Sequence, residues 1–433
     1  MAGILGIYLF DERWNVYNFG VFGLMALQHR GQETAGLEVF GKSRRKVEGE
    51  GLVDQILANN QTAGHMCLGA VSPYPASNGE IQPIRLSENV SLAIDGKILG
   101  IDGYQWDSTL SYEENLRRAF RGNKVDDIKE FFSRCRGGFS YVALNDKFEM
   151  IAGRGDLGVK PLVLGKMGFE GGIVASETCV MDIIGERVPI SPAENIEPGE
   201  VRIFSPLSAH AERSRNSNCK KRAYCSFEYV YLARPDSYIN DIPVYRVRRK
   251  IGEILAEEGG VEADVVIGVP ETAIPFAMAY SNSTGIPVEK GFELTGRRVR
   301  SAMKPNQIER LKGVQLKLNV ISEAVRGKRV VLIDDSVVRG NTLANIVYLM
   351  KEKGAKEIHV RIGSPHIVSH CPFGVEVPPE DELIGRHLPE KKIAEVVGAD
   401  SFKYLSIDGF VEATGVRFED LCLGCFNGHY PEV

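Results

Sequence analysis

Asp334 and Asp335 end the apolar run Val330–Ile333 and open the loop Ser336-Val337-Val338-Arg339-Gly340-Asn341-Thr342, which leads into a predicted helix. Such a run predicts a central strand that delivers both carboxylates to its C-terminal edge. Backbone N–H groups at a helix N-terminus, with a glycine that permits close approach, form a phosphate cradle. Two acids beside the cradle can accept hydrogen bonds from vicinal hydroxyls, so a phosphorylated ribose meets both demands. An aspartate pair capping a helix in another α/β fold would give the same letters. The chain contains no GxxxxGK[ST] loop and no dinucleotide fingerprint.

Cysteine offers a second chemistry. There are eight: Cys67, Cys135, Cys179, Cys219, Cys225, Cys371, Cys422 and Cys425. A disulfide framework is not expected in a reduced compartment. Cys422-Leu-Gly-Cys425 is a CxxC pair, which alone fits a redox dithiol, an inert pair or half of a metal site.

The elements that must position these groups change character along the chain. MAGILGIYLF, SLAIDGKIL, FSYVALN and FEMIAGRG read as short strands, and NFGVFGLMALQHRGQETAGLEVF as a helix that turns into a strand. The polar stretch Ser205–Lys221 reads as a linker or surface loop. From about Asp264, strands alternate with helices: DVVIGVPETAIPFAMAYSNSTG, then KRVVLIDDSVVRGNTLANIVYLMKEKG, then KEIHVRIGSP. That order predicts a parallel sheet with ligands beyond the strands' C-terminal ends. A length of 433 residues predicts two or three domains. With 52 Lys and Arg against 57 Asp and Glu, no basic field argues for nucleic acid. No apolar run is long enough for a membrane span, and MAGILGIYLF lacks a basic leader, so a cytoplasmic multidomain enzyme is expected.

VVLIDDSVVRGNT resembles the phosphoribosyl pyrophosphate (PRPP) signature of type I phosphoribosyltransferases. LQHRGQETAG (27–36), GDLGVKPLVLG (155–165), ASE (175–177), CSFEYVYLARPDS (225–237), VIGVPET (266–272), KGVQLKLNV (312–320) and CLGCFNGHYP (422–431) narrow the resemblance to glutamine PRPP amidotransferases. These segments stand in the family's order over almost the whole chain. The resemblance implies an α/β plus α+β architecture. Residues 1–224 would form an N-terminal-nucleophile hydrolase-like αββα domain. Residues 225–433 would form a type I phosphoribosyltransferase domain with a central parallel sheet and a cluster-binding tail.

The implied reaction is displacement of pyrophosphate from C1 of PRPP by ammonia, giving 5-phosphoribosylamine for purine synthesis. By resemblance, Asp334 and Asp335 would hold the ribose hydroxyls and help place Mg²⁺, and Ser336 through Thr342 would cradle the 5-phosphate. Glu271, Thr272 and Ala273 would form the pyrophosphate loop, with Arg297 and Lys317 in or near a flexible loop that closes over it. The family places Thr after Gly-Arg, whereas this chain has Arg298, so a hydroxyl expected near the metal is missing. Cys225, Cys371, Cys422 and Cys425 match the ligands of a 4Fe–4S cluster in one branch of the family, although zinc satisfies the same four thiolates. A homo-oligomer is implied as well.

The glutaminase half departs from the family. Its chemistry needs a cysteine at the mature N-terminus, and Ala2 stands there. The GHxRY segment appears as Gly69-Ala70-Val71-Ser72-Pro73, with Ser72 in place of the arginine that grips glutamine. The HNG segment appears as Ile94-Asp95-Gly96, so Asp95 sets a negative charge where an oxyanion must form. Asp107–Glu114 is too divergent to supply an acidic partner, while Gln28, His29 and Arg30 persist. The expectation is a glutaminase-like domain without glutaminase activity, feeding on free ammonia or on ammonia from a separate glutaminase. The alternatives are a non-catalytic PRPP-binding regulator and a pseudo-subunit of an active homologue.

Overall fold

Alternation along the first strand sets the N-terminal architecture. In Gly3–Leu9, Ile4 and Tyr8 enter one apolar core while Leu5, Ile7 and Leu9 enter another, as the two-residue repeat of a strand requires. This is a computed structural model, and it describes residues 2–58, 60–75, 79–169, 171–186, 189–206, 212–215, 221–294 and 318–432.

The first strand lies inside a seven-stranded antiparallel sheet. Its order is Glu194–Asn195, Val163–Lys166, Gly171–Ala175, Gly3–Leu9, Met66–Ser72, Thr34–Phe40 and Arg44–Glu50. A six-stranded antiparallel sheet runs Glu212–Arg215, Glu200–Phe204, Met150–Arg154, Cys135–Asn145, Val90–Ile101 and Ile84–Ser87. Ile4, Tyr8, Met66 and Leu68 of one sheet meet Ala93, Val142, Leu144 and Met150 of the other. The helices Tyr17–Ala26 and Cys179–Gly185 cover the outer face of the first sheet through Leu24 and Ile184. Tyr112–Ala119 and Val125–Ser133 cover the second through Leu116, Ile128 and Phe131. The result is the helix–sheet–sheet–helix stack that the family resemblance implies.

The C-terminal half is built on the parallel order Val265–Gly268, Arg329–Asp334, Glu357–Ile362 and Ser401–Tyr404. Val331 and Ile333 face one core and Val330 and Leu332 the other, so the central strand is buried on both sides, as parallel sheets require. The expected helices follow their strands at Ile274–Thr284 and Asn341–Glu352.

The polar stretch Ser205–Lys221 is not only a linker. Its residues Glu212–Arg215 pair with Glu200–Phe204 as the edge strand of the second sheet; a sheet edge needs apolar contact on one face at most, so polar side chains are tolerated there. The halves join where Ala223 N donates to Leu157 O (2.8 Å) and Cys225 N to Val159 O (3.3 Å). Tyr224–Cys225 then pairs in parallel with Leu421–Cys422 near the other end of the chain. No described helix is long and apolar enough to cross a membrane.

Candidate active site and a buried ion network

The Arg329–Asp334 strand lies between Val265–Gly268 and Glu357–Ile362, so its C-terminal end opens at the middle of the sheet edge. Asp334 and Asp335 stand there, partly buried. Asp335 N donates to Asp334 Oδ1 (2.9 Å), and Ser336 Oγ donates to Asp335 Oδ1 (2.7 Å). The loop then turns through Gly340, whose φ of 78° lies in the left-handed region, into Asn341–Glu352. Val337 is buried in the core and Val338 O accepts Ile384 N at 3.0 Å. Arg339 pairs outward with Glu382. These side chains are committed elsewhere, which leaves the loop's backbone N–H groups facing the helix entrance as donors.

Because the neighbouring strands are parallel, Glu271, Thr272 and Ala273 reach the same edge, and Val269 N donates to Ile333 O at 2.8 Å. The Pro270–Glu271 peptide is cis. Thr272 and Ser336 both hydrogen-bond the Asp335 carboxylate. The structure therefore brings together the two aspartates, the loop 336–342 and the loop 271–273. Arg297, Arg298 and Lys317 lie outside the described residues.

Burial, with the Asp335 charge beside it, pushes the Asp334 carboxyl well above its usual range. Burial also raises Asp335 to about 6, although the Ser336 hydroxyl and the Arg248 guanidinium favour its ionised form. Arg248 was not apparent from the sequence. It is buried under the site, donating from Nε to Tyr229 O (3.0 Å) and from Nη2 to Ala233 O (2.7 Å). Burial lowers it to about 10, against the pull of Asp335, Glu177 and Glu228.

In the N-terminal half, Ala2 N donates to Asp95 Oδ1 at 2.8 Å. Arg30 Nη2 donates to Asp95 Oδ2 (3.0 Å) and Arg30 Nη1 to Glu177 Oε1 (2.8 Å). Arg30 also forks onto both oxygens of Glu228, at 2.9 and 2.8 Å, and its Nε donates to Ala2 O at 3.1 Å. Glu177 further accepts Arg234 N, Ser237 Oγ and His29 Nε2. Arg30, Asp95, Glu177 and Glu228 are at most 1% exposed, so this is a closed ion cluster and not an open pocket. Burial disfavours the charged form of Asp95, but Lys160 and Arg30 outweigh it and hold the carboxyl below its usual range. Burial likewise opposes ionisation of Glu177, and His29 and Arg30 reverse the sign.

Ser72 Oγ accepts Tyr74 N at 3.2 Å, a local turn bond. Asp107 binds Thr109 through its N–H (2.9 Å) and hydroxyl (2.6 Å), and Ser111 caps the helix that follows. That accounts for the acidic stretch 107–114 as local structure. Glu177, Glu228 and Lys160 lay within the matched segments, but sequence reasoning gave them no role. The available signal was a charge set in apolar surroundings, as in Gly158-Val159-Lys160-Pro161-Leu162.

The four cysteines do converge. Cys225 and Cys422 are opposed across the parallel strand pair. Cys425 follows on the turn Gly424–Asn427, and its carbonyl accepts Val368 N (2.8 Å) and Ser369 N (3.3 Å), which brings in the chain that carries Cys371. A side chain at Gly424 would strike the Tyr430 ring at 2.3 Å, so the turn can pack under that ring only as glycine. All four thiols are 6–8% exposed. Burial raises Cys422 to about 11, and burial with the other three sulfurs raises Cys425 further. Four buried thiols that repel one another as thiolates suit a cationic centre that neutralises them. Among the described residues, no three His, Cys, Asp or Glu side chains group closely enough to hold a single ion. Cys67 and Cys179 are buried elsewhere and Cys135 is partly buried.

A family model described as "Phosphoribosyl transferase domain" matches residues 239–363. The amidophosphoribosyltransferase of Bacillus subtilis (strain 168) is 34% identical over 458 residues, covering 99% of this chain and 94% of that protein. That of Methanocaldococcus jannaschii is 36% identical over 467 residues, covering 100% and 98%. Among solved structures, glutamine PRPP amidotransferase from B. subtilis complexed with ADP and GMP aligns with a TM-score of 0.86 at 33% identity, covering 99% and 97% of the two chains. A structure described as the allosteric regulatory enzyme of purine biosynthesis gives 0.87 at 34%, covering 99% and 96%.

Two outcomes follow from the electrostatics. Arg30→Met leaves three buried carboxylates without their cation, and denaturant unfolding should show a loss of about 3–5 kcal/mol. The raised Asp335 pKa means that ligand-free stability from the protonated acid is present below pH 4 and lost as pH rises through about 6. Asp335→Asn should therefore stabilise the ligand-free protein at pH 8, on the order of 2 kcal/mol, and leave it nearly unchanged at pH 4. Thermal melts across that range check the sign.

Proposed function

Since the chain belongs to the amidophosphoribosyltransferase family, we propose that it displaces pyrophosphate from PRPP with ammonia in purine biosynthesis, and that it does not hydrolyse glutamine. The observation that carries the first part is the convergence of Asp334, Asp335, the loop 336–342 and the loop 271–273 at one sheet edge. Ammonia's lone pair attacks C1 of the ribose while the C1–O bond to pyrophosphate breaks and its electron pair leaves with pyrophosphate. The attacking nitrogen then gives up one proton. Positive charge grows on the sugar as negative charge grows on the leaving group, so fixed acids beside the ribose and N–H donors beside the phosphates match the transition state.

In this reading Asp334 and Asp335 accept from the ribose hydroxyls and would hold Mg²⁺. Two half-buried carboxyls whose pKa values are raised by burial, with the Asp335 charge adding to the rise at Asp334, suit a divalent cation. When bound, the ion supplies charge neutralisation to the pyrophosphate. Arg248 positions Asp335 from beneath. Glu271, Thr272 and Ala273 form the pyrophosphate loop, and Arg297 and Lys317, outside the described residues, would supply cations to the pyrophosphate.

Loss of glutaminase activity rests on Ala2, Asp95 and Ser72 together. A methyl group cannot attack an amide, and Asp95 is engaged with Ala2 and Arg30 as an anion. The oxyanion site would thus repel its own transition state. Ammonia then comes from solution or from a separate glutaminase. Cys225, Cys371, Cys422 and Cys425 would hold a 4Fe–4S cluster, whose role is to tie the chain after residue 224 to its C-terminal tail. Zinc, with Zn–S of about 2.3 Å, needs the four sulfurs drawn more tightly together than a cluster does. The division between the halves falls near residues 224–225, within that tie. Exposed Ile274, Met278, Val288 and Leu294 offer an apolar face for a homo-oligomer.

Purified protein given PRPP and Mg²⁺ should release pyrophosphate with ammonium and not with glutamine. Turnover with glutamine equal to that with ammonium would contradict the lost-glutaminase reading. PRPP binding without pyrophosphate release from any amine would favour the regulator or pseudo-subunit. Ala2→Cys alone should not restore glutamate release from glutamine above background, because Asp95 and Ser72 remain.

A further inference from the structure

Lys160 is completely buried, and its Nζ has no hydrogen-bond partner among the described residues. An ammonium carries three donors and no acceptor, so a buried one with no partner marks a place where an acceptor belongs. Asp95, Cys225, Glu228 and Cys371 surround it at electrostatic range. Both oxygens of Asp95 already accept, from Ala2 N and from Arg30. Both oxygens of Glu228 accept from Arg30. Those oxygens keep further lone pairs, but Arg30 already balances both carboxylates, whereas Lys160 is the cation that bears on the sulfur of Cys225, a member with Cys371 of the four-cysteine set. Tyr74 faces the same node, within range of Lys160, Asp95 and Cys371.

We propose that Lys160 is a positioning residue of the four-cysteine centre, its ammonium donating to the sulfur shell of an iron–sulfur cluster and linking that shell to the Asp95–Arg30 network. The inference rests on the cluster reading above. Four thiolates make the cluster site net negative, and one further electron makes it more so. Hydrogen bonds to sulfur and net charge both set cluster potentials. A buried cation at the sulfurs therefore favours the reduced state, while the Asp95 carboxylate behind it works in the opposite direction.

The test is a potentiometric titration of anaerobically purified full-length protein, followed by electron paramagnetic resonance, with iron and sulfide measured on the same samples. Lys160→Met should shift the reduced-to-oxidised ratio at fixed potential about tenfold toward oxidised, which is about 59 mV for one electron. Lys160→Arg should stay close to wild type, and Asp95→Asn should shift the ratio in the opposite direction. Loss of visible absorption in air should also be several-fold faster in Lys160→Met. An unchanged potential in an iron-loaded Lys160→Met protein overturns the role of Lys160 alone. If Lys160→Met does not fold, an unchanged potential in Asp95→Asn overturns it. Wild-type protein without iron and sulfide overturns the cluster reading, and this proposal with it.

Discussion

Charge balance around Arg30 constrains both halves of the molecule. Its guanidinium is buried and binds three carboxylates contributed by widely separated segments: Asp95, Glu177 and Glu228. A charge removed from water is tolerated only when counter-charges and hydrogen bonds replace the lost hydration. Glu177 meets this demand twice over, accepting from His29, Arg234 and Ser237 as well. Removing any one member strands the others. The network is therefore a structural device, whether or not catalysis takes place beside it.

Its reach explains how the N-terminal half stays integrated with the rest. Asp95 and Ala2 lie in the N-terminal stack, whereas Glu228 opens the helical turn Glu228–Leu232, three residues after Cys225 of the strand that pairs with Leu421–Cys422. From Glu228, electrostatic influence continues to Arg248 and then to Asp335. Apolar packing runs in parallel, since Leu157 and Val159 share one core with Phe373, Cys422 and Phe426. A sealed ion cluster at this place keeps the two halves connected.

The sheet edge that carries the aspartate pair and its loop was legible because its parts are local. Val330–Ile333, the aspartate pair and Gly340 lie within a dozen residues, and strand–loop–helix order fixes where they point. The cysteine convergence could be named only by resemblance, because Cys225 and Cys422 meet through long-range strand pairing. The ion network was not legible at all. Arg30, Lys160, Glu177 and Glu228 come from four segments whose meeting depends on the stacking of two sheets and on the junction with the second half. Their charges in apolar surroundings were visible, but not their partners. The reading of Ser205–Lys221 as a linker or surface loop missed the strand Glu212–Arg215 for a related reason: an edge strand needs no apolar alternation.

The central claim is that one half keeps its ligand chemistry at Asp334 and Asp335 while the other has closed its own around Ala2 and Asp95. Isothermal titration calorimetry of one preparation, first with Mg²⁺ and PRPP and then with glutamine, tests this most directly. Saturable heat for PRPP and none for glutamine is the predicted result. Saturable glutamine binding, or the absence of PRPP binding, would contradict it.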